Sequence, residues 1–118
     1  MKVSEIRDIL DAKIFNGGGE DLEVDSGCGC DLMSDVLAFN HNNNVLLTGA
    51  VNPQAIRTCE VVDTRVVVFV RDKQPSEEII NLADCADILL MGTHYSMFEA
   101  CGRLYAAGLR GEEIQNDF

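Results

Sequence analysis

At 118 residues the chain has room for one domain around one modest core, and 47% hydrophobic residues with five Phe, two Tyr and no Trp suit a folded domain. The net charge of −11, from 20 acidic against 9 basic residues, works against nucleic-acid and anionic-membrane binding, because affinity for phosphate backbones comes largely from Lys and Arg displacing counterions. The longest apolar run, VVVFV at Val66–Val70, is far short of the ~20 residues of a membrane helix, and the charged start MKVSEIRDILD has no apolar signal core, so a cytoplasmic protein is expected.

In chain order, Ser4 is placed to cap a helix through IRDILDA, with Ile6, Ile9 and Leu10 on one face. A short strand is expected at Lys13–Phe15 and a turn at Asn16–Asp21, NGGGED. From there one unit recurs in kind, with an apolar run, a polar loop and a capped helix. Val24–Cys28 leads to Asp31 as cap and a helix carrying Leu32, Met33, Val36 and Leu37. Val45–Leu47 leads to TGAVNP, where Asn52 as cap and Pro53 at the first helical position form a start signal. Val66–Val70 leads to RDKQPSEE, with Ser76 as cap and Glu77 and Glu78 at the positive end of the helix dipole. Ile88–Met91 leads to GTHYSMFE, in which Ser96 and Glu99 fit a capping box, and that last helix buries Met97, Cys101 and Leu104 and stops at Gly108. The tail Arg110–Phe118 reads as loosely attached.

Apolar runs without alternation suit strands covered on both faces. Strand and helix alternating four times predict a single α/β layered domain over residues 1–118, with a mostly parallel sheet of about four or five strands and flanking helices. In such a sheet the loops leaving the strands gather at one edge, where ligands of open α/β folds bind. The predicted ligand-binding residues are therefore Gly27 and Asp31, Thr48 and Asn52, Arg71, and Thr93, with His94 at the rim. Helix N-termini and Arg71 favour a small anion or a nucleotide-like metabolite there. Each residue also has a plainer role. Asp31, Asn52 and Ser96 are natural caps, the glycines permit tight turns, and Arg71 suits a salt bridge.

The five cysteines, at positions 28, 30, 59, 85 and 101, are an odd number with no CxxC pair. No disulfide framework, metal site or cofactor is expected, and Cys28 and Cys30 read as small residues in the first strand-to-helix turn. There is no GxxxxGK[ST] and no GxSxG, and GGGE lies before the first strand unit and not between a strand and a helix. His41 in HNNN sits in an expected exposed turn. No catalytic residues are assigned, and a non-enzyme is expected.

VDSGCGCDLMSDVLA, a strand ending in TG, a strand ending before RDKQPSEEII and the closing THYSMFEACGRLYAAG together resemble the DRTGG domain. The resemblance covers roughly residues 3–109, and DLMSDVLA and SMFEACGRLY are its most specific parts. The name-giving residues fall on Asp21–Gly27, DLEVDSG, which keeps the Asp and the last Gly. Leu22 stands where that family has Arg, Asp25 where it has Thr, and Ser26 where it has the first Gly. DRTGG domains accompany CBS domains in family II pyrophosphatases, occur in some phosphotransacetylases and resemble the N-terminal domain of HPr kinase. The resemblance implies a non-catalytic regulatory module that works as a homodimer or docks on another protein. Three readings follow: a ligand-sensing regulatory module, a purely structural interaction module, and a thiol-based metal or redox protein built on Cys28 and Cys30.

Overall fold

The computed structural model describes residues 1–39 and 43–112. His41 and residues 113–118 of the tail lie outside the described residues. The elements run α1 (Val3–Ile9), β1 (Lys13–Ile14), β2 (Ser26–Gly29), α2 (Met33–Phe39), β3 (Asn44–Thr48), α3 (Pro53–Val61), β4 (Val66–Phe69), α4 (Glu77–Cys85), β5 (Leu89–Gly92) and α5 (Met97–Ala106). The five strands form one sheet in the order β1-β5-β4-β3-β2, parallel from β2 to β5, with β1 antiparallel on β5. The predicted α/β layered domain is the observed one.

The apolar runs divide between two cores by the period of two along a strand. Val66, Val68 and Val70 join Val45, Leu47, Leu89 and Met91 under α1 and α5. Val67 and Phe69 join Leu46, Ile88 and Leu90 under α2, α3 and α4. Successive strands from β2 to β5 advance in one direction across the sheet. Their three crossover helices therefore share one face, and the terminal helices cover the other.

Asn52, Ser76 and Ser96 cap their helices as expected, each accepting from the backbone N–H three residues on. Glu99, the other half of the expected box, instead accepts from Arg103 Nε at 3.1 Å. Ser4 is not a cap, because α1 begins at Val3, two residues earlier than a Ser4 cap implies, with Lys2 at the cap position. The Val3 and Ser4 N–H groups donate to Leu22 O at 2.9 Å and Glu20 O at 3.1 Å, and Glu5 Oε1 accepts from Lys2 N. The loop before β2 thus supplies the acceptors that a cap would have provided. Asp31 is not a cap either: α2 starts at Met33, and the Asp31 carboxylate reaches across to the β3–α3 loop. Among the described side chains of α2, Met33 and Val36 are buried, whereas Leu37, and Leu32 just before the helix, are exposed, since α2 flanks the outermost parallel strand.

The segment SGCG is strand and not turn. Gly27 and Gly29 pair with Val45 and Leu47 of β3, and neither has a positive φ. Their lack of side chains serves packing. A Cβ on Gly29 would lie 2.7 Å from Cys101 Sγ and 3.1 Å from Met97 Sδ, and one on Gly27 would lie 3.1 Å from Leu109 Cδ2. Glycine here lets α5 and the segment after it approach the sheet backbone. That segment is held as far as it is described. Gly27 N donates to Arg110 O at 2.9 Å, Asn44 Nδ2 to Glu112 Oε1 at 3.2 Å, and the Arg110 guanidinium lies 4.0 Å from the Tyr105 ring centre.

Gly29→Ala is expected to destabilise the fold by ~1–3 kcal/mol, the usual cost of overpacking. Cys101→Ala in the same chain should recover part of that loss, because it removes the atom at 2.7 Å. Urea denaturation of the wild type, the single variant and the double variant measures both.

Candidate functional site

All four parallel strands deliver their following loops to one rim of the sheet. At that rim Asp31 Oδ1 accepts from Gly49 N at 2.7 Å and from Thr48 Oγ1 at 3.2 Å, and Thr48 Oγ1 in turn accepts from Ala50 N. Lys73 Nζ donates to Gly49 O at 2.9 Å from the other side. A carboxylate and an ammonium therefore clasp Gly49, with a Cβ position there 3.4 Å from the first and 3.7 Å from the second. Among the described residues Asp31 Oδ2 carries no hydrogen bond, so this exposed carboxylate retains acceptor capacity.

Arg71 and Asp72 occupy the neighbouring loop with φ of 59° and 61°. Other left-handed residues have an ordinary explanation: Asp11, Asp63 and Asp87 each follow the cap residue of a helix, where that conformation is the usual stop. Arg71 and Asp72 instead follow a strand, two in succession. They are held there because Arg71 N donates to Tyr95 O at 2.8 Å and Asp72 N to Thr93 O at 2.9 Å. A non-glycine residue in this region costs ~1–3 kcal/mol and persists where surrounding bonds enforce it. The result projects Arg71, Asp72 and Lys73, all exposed, from the rim.

The other predicted residues fare differently. Asn52 reaches the rim as the cap of α3, its side-chain oxygen bonded to Ala55 N at 3.0 Å. Thr93 is buried, and its hydroxyl donates to Leu10 O at 2.7 Å while accepting from Tyr95 N. It fastens α1 to the rim. His94 is exposed, its ring centre 4.2 Å from that of Tyr95. Gly27 is not brought to the rim: it lies inside β2, beside a cavity of about 170 Å³ that Cys28, Leu104, Tyr105 and Leu109 also line. Sequence reasoning missed Lys73, although it stands two residues after Arg71 in RDK.

The opposite rim, at the strand starts, was not anticipated. It holds an open crevice of about 690 Å³ between the Asn16–Leu22 loop and Asp84–Leu89. A second crevice of about 400 Å³ lies along Leu22–Asp25, Asn43, Asn44 and Asp63, and Leu22 and Arg65 line both. The Asp21–Asp25 part of DLEVDSG lines this rim. It is clamped there by residues at the start of the chain, with Val24 N donating to Met1 O and Met1 N to Val24 O, each at 2.9 Å. Leu22 packs on the core. Asp63 and Asp87 follow the carboxyl ends of α3 and α4, where the helix dipole adds to their negative charge.

The thiols do not form a reactive cluster. All five cysteines are free, and among the described residues no group of three or more His, Cys, Asp or Glu is placed to hold a metal ion. Burial, followed by the neighbouring Cys30, pushes the Cys28 thiol from the ordinary 9.0 up to about 11. Burial pushes Cys59 up to about 12 and raises Cys101 as well. Such thiols keep their protons at neutral pH, whereas nucleophilic and metal-binding cysteines act as thiolates.

The chain is similar to the crystal structure of the CBS and DRTGG domains of the regulatory region of Clostridium perfringens pyrophosphatase, complexed with activator, diadenosine tetraphosphate. The TM-score is 0.69 at 15% identity, over 87% of this chain and 45% of that one. This chain thus spans under half the length of that structure, and the likeness shows a DRTGG-like fold. No family model and no curated protein matches the chain. No helix among the described residues is long and apolar enough to cross a membrane.

The raised thiols carry a pH dependence. A group with a folded pKa above its unfolded one contributes stability that is complete below the unfolded value and lost as pH rises through the folded one. Melting temperature should therefore fall from about pH 9 up to about pH 11 for the Cys28 contribution and about pH 12 for that of Cys59, as both come to ionise more readily unfolded than folded. A Cys28→Ala, Cys59→Ala chain should fall less steeply over that window in thermal melts.

Proposed function

We propose that this chain is a DRTGG-like, non-catalytic regulatory module that binds a small anionic or nucleotide-like metabolite at the rim where its parallel strands end, and that it acts as a homodimer. The observation that carries this reading is the strained Arg71–Asp72 pair, which exposes Arg71 at the rim and leads into Lys73, whose ammonium holds Gly49 of the Asp31–Gly49 clasp. Strain of this kind, enforced by two backbone hydrogen bonds, concentrates at sites of function.

One local feature favours this rim for an anion. Here helices begin, although Asp35, Glu77, Glu78 and Glu99 occupy the first turns of α2, α4 and α5. Helix α3 has no acidic residue in its own first turn, so its N-terminus adds positive potential near Lys73, whose ammonium bonds Gly49 in the loop before it. At the other rim helices end, and Glu20, Asp21, Asp84 and Asp87 surround Arg65. An anion is disfavoured there despite the greater volume. Asp31 Oδ2 then suits a ligand carrying hydroxyl or amino donors besides its phosphate, which describes a nucleotide better than a bare anion. The DRTGG-like fold supports the regulatory part of the reading, since the pyrophosphatase region that shares it is regulatory and was crystallised with a dinucleotide activator.

Thermal shift against inorganic phosphate, AMP, ATP and diadenosine tetraphosphate tests the proposal. At least one of the nucleotides should raise the melting temperature. Arg71→Ala and Lys73→Ala should each abolish that rise while moving the unliganded melting temperature little, because exposed charges contribute ~0–1 kcal/mol to folding. A nucleotide shift that survives both substitutions would move the site elsewhere, and no shift with any of the four would remove the ligand-sensing reading.

A further inference from the structure

The outward face of α5 is apolar along its length. Phe98, Gly102, Tyr105 and Ala106 fall on one side of the helix at spacings of three and four, opposite the buried Ala100 and Leu104. Phe98 is 88% exposed and Tyr105 58% exposed. Between them a Cβ on Gly102 would meet nothing within 4 Å. Glycine inside an exposed helix costs ~1 kcal/mol relative to alanine, and among the described residues no atom lies within 4 Å of the space it leaves.

Resting on the homodimer reading above, we propose that this face is where two copies meet, with two α5 helices packed antiparallel across a two-fold axis near Gly102. Charge selects a second copy as the occupant. The chain carries −11, so most faces of one molecule repel another, but residues 96–111 contain Arg103 and Arg110 against the single acid Glu99. The arrangement is also self-complementary. Antiparallel pairing about residues 101–102 sets Phe98 of each copy against the other's Tyr105, and each Glu99 beside the other's Arg103. Gly102 at the crossing lets the two backbones approach. Four aromatic side chains, at ~150–250 Å² each when wholly buried, with Phe98 88% and Tyr105 58% exposed, supply on the order of a third of the ~1,200–2,000 Å² that a specific interface buries, and the stems of Arg103 and Arg110 extend the contact.

Sedimentation equilibrium of the full chain over a concentration series tests this. The wild type should dimerise. Phe98→Ser should weaken the dimer at least ~10-fold, as loss of a central aromatic anchor does. Gly102→Glu should abolish the dimer while leaving the melting temperature of the monomer unchanged or raised, because its Cβ meets no atom and glutamate is the better helix former. Glu99→Arg and Arg103→Glu should each be monomeric alone and form a heterodimer when mixed, because one copy then carries two cations on this face and the other two carboxylates. A wild-type dimer that persists through Phe98→Ser and Gly102→Glu would overturn this face while leaving the homodimer reading intact. A wild type that stays monomeric would overturn both, and a nucleotide-induced thermal shift would still stand apart from either result.

Discussion

The buried ladder of Val66–Phe69 is the constraint on which the rest of the molecule depends. β4 has a parallel neighbour on each side and a packed layer on each face, so every one of its side chains is apolar and every one is covered. With β4 held in this way, β3 and β5 take their register from it, and β2 and β1 follow at the two edges. The strands from β2 to β5 advance one way, which confines α2, α3 and α4 to one face. The other face is left to α1 and α5, drawn from the two ends of the described chain. Small residues in β2 let α5 settle there, close against the backbone of the last parallel strand.

The parallel strands give the sheet two unlike rims, one where helices begin and one where they end. At the strand ends, backbone N–H groups of helix starts point outward and three successive residues, Arg71, Asp72 and Lys73, are pushed into solvent by a left-handed turn. At the strand starts, helices finish on Asp63 and Asp87, so carboxylates stack on the negative ends of helix dipoles. The crevices described above lie at the second rim.

The cysteine pair shows how packing can give a motif a meaning that its spacing does not suggest. In SGCGC the glycines alternate with Cys28 and Cys30, so the two residue types fall on opposite faces of β2. The glycine face receives Met97, Cys101 and Leu109. The thiol face packs against the core under α2, where burial holds Cys28 in its protonated form. Both features belong to the close seating of helices on an edge strand.

The sequence by itself determined the elements and their order. Unbroken apolar runs marked parallel strands, caps at Asn52, Ser76 and Ser96 marked helix starts, and strand–helix alternation placed Asp31, Thr48, Asn52, Arg71 and Thr93 at one rim. These signals are local, carried by residues within one turn or one strand of each other. Only the tertiary structure decided what each rim residue does, because the deciding partners are distant in sequence. Asp31 looked like a cap until Gly49 took its carboxylate, and Thr93 looked available until Leu10 took its hydroxyl. Gly27 and Gly29 looked like a turn until Leu109 and Cys101 occupied the space beside them. Ser4 lost its capping role to carbonyls of the following loop. Lys73 gained its place only once the Arg71–Asp72 turn swung it over Gly49. Periodicity and capping residues specify which segments form, but a polar side chain takes its role from whichever group reaches it first in the folded chain.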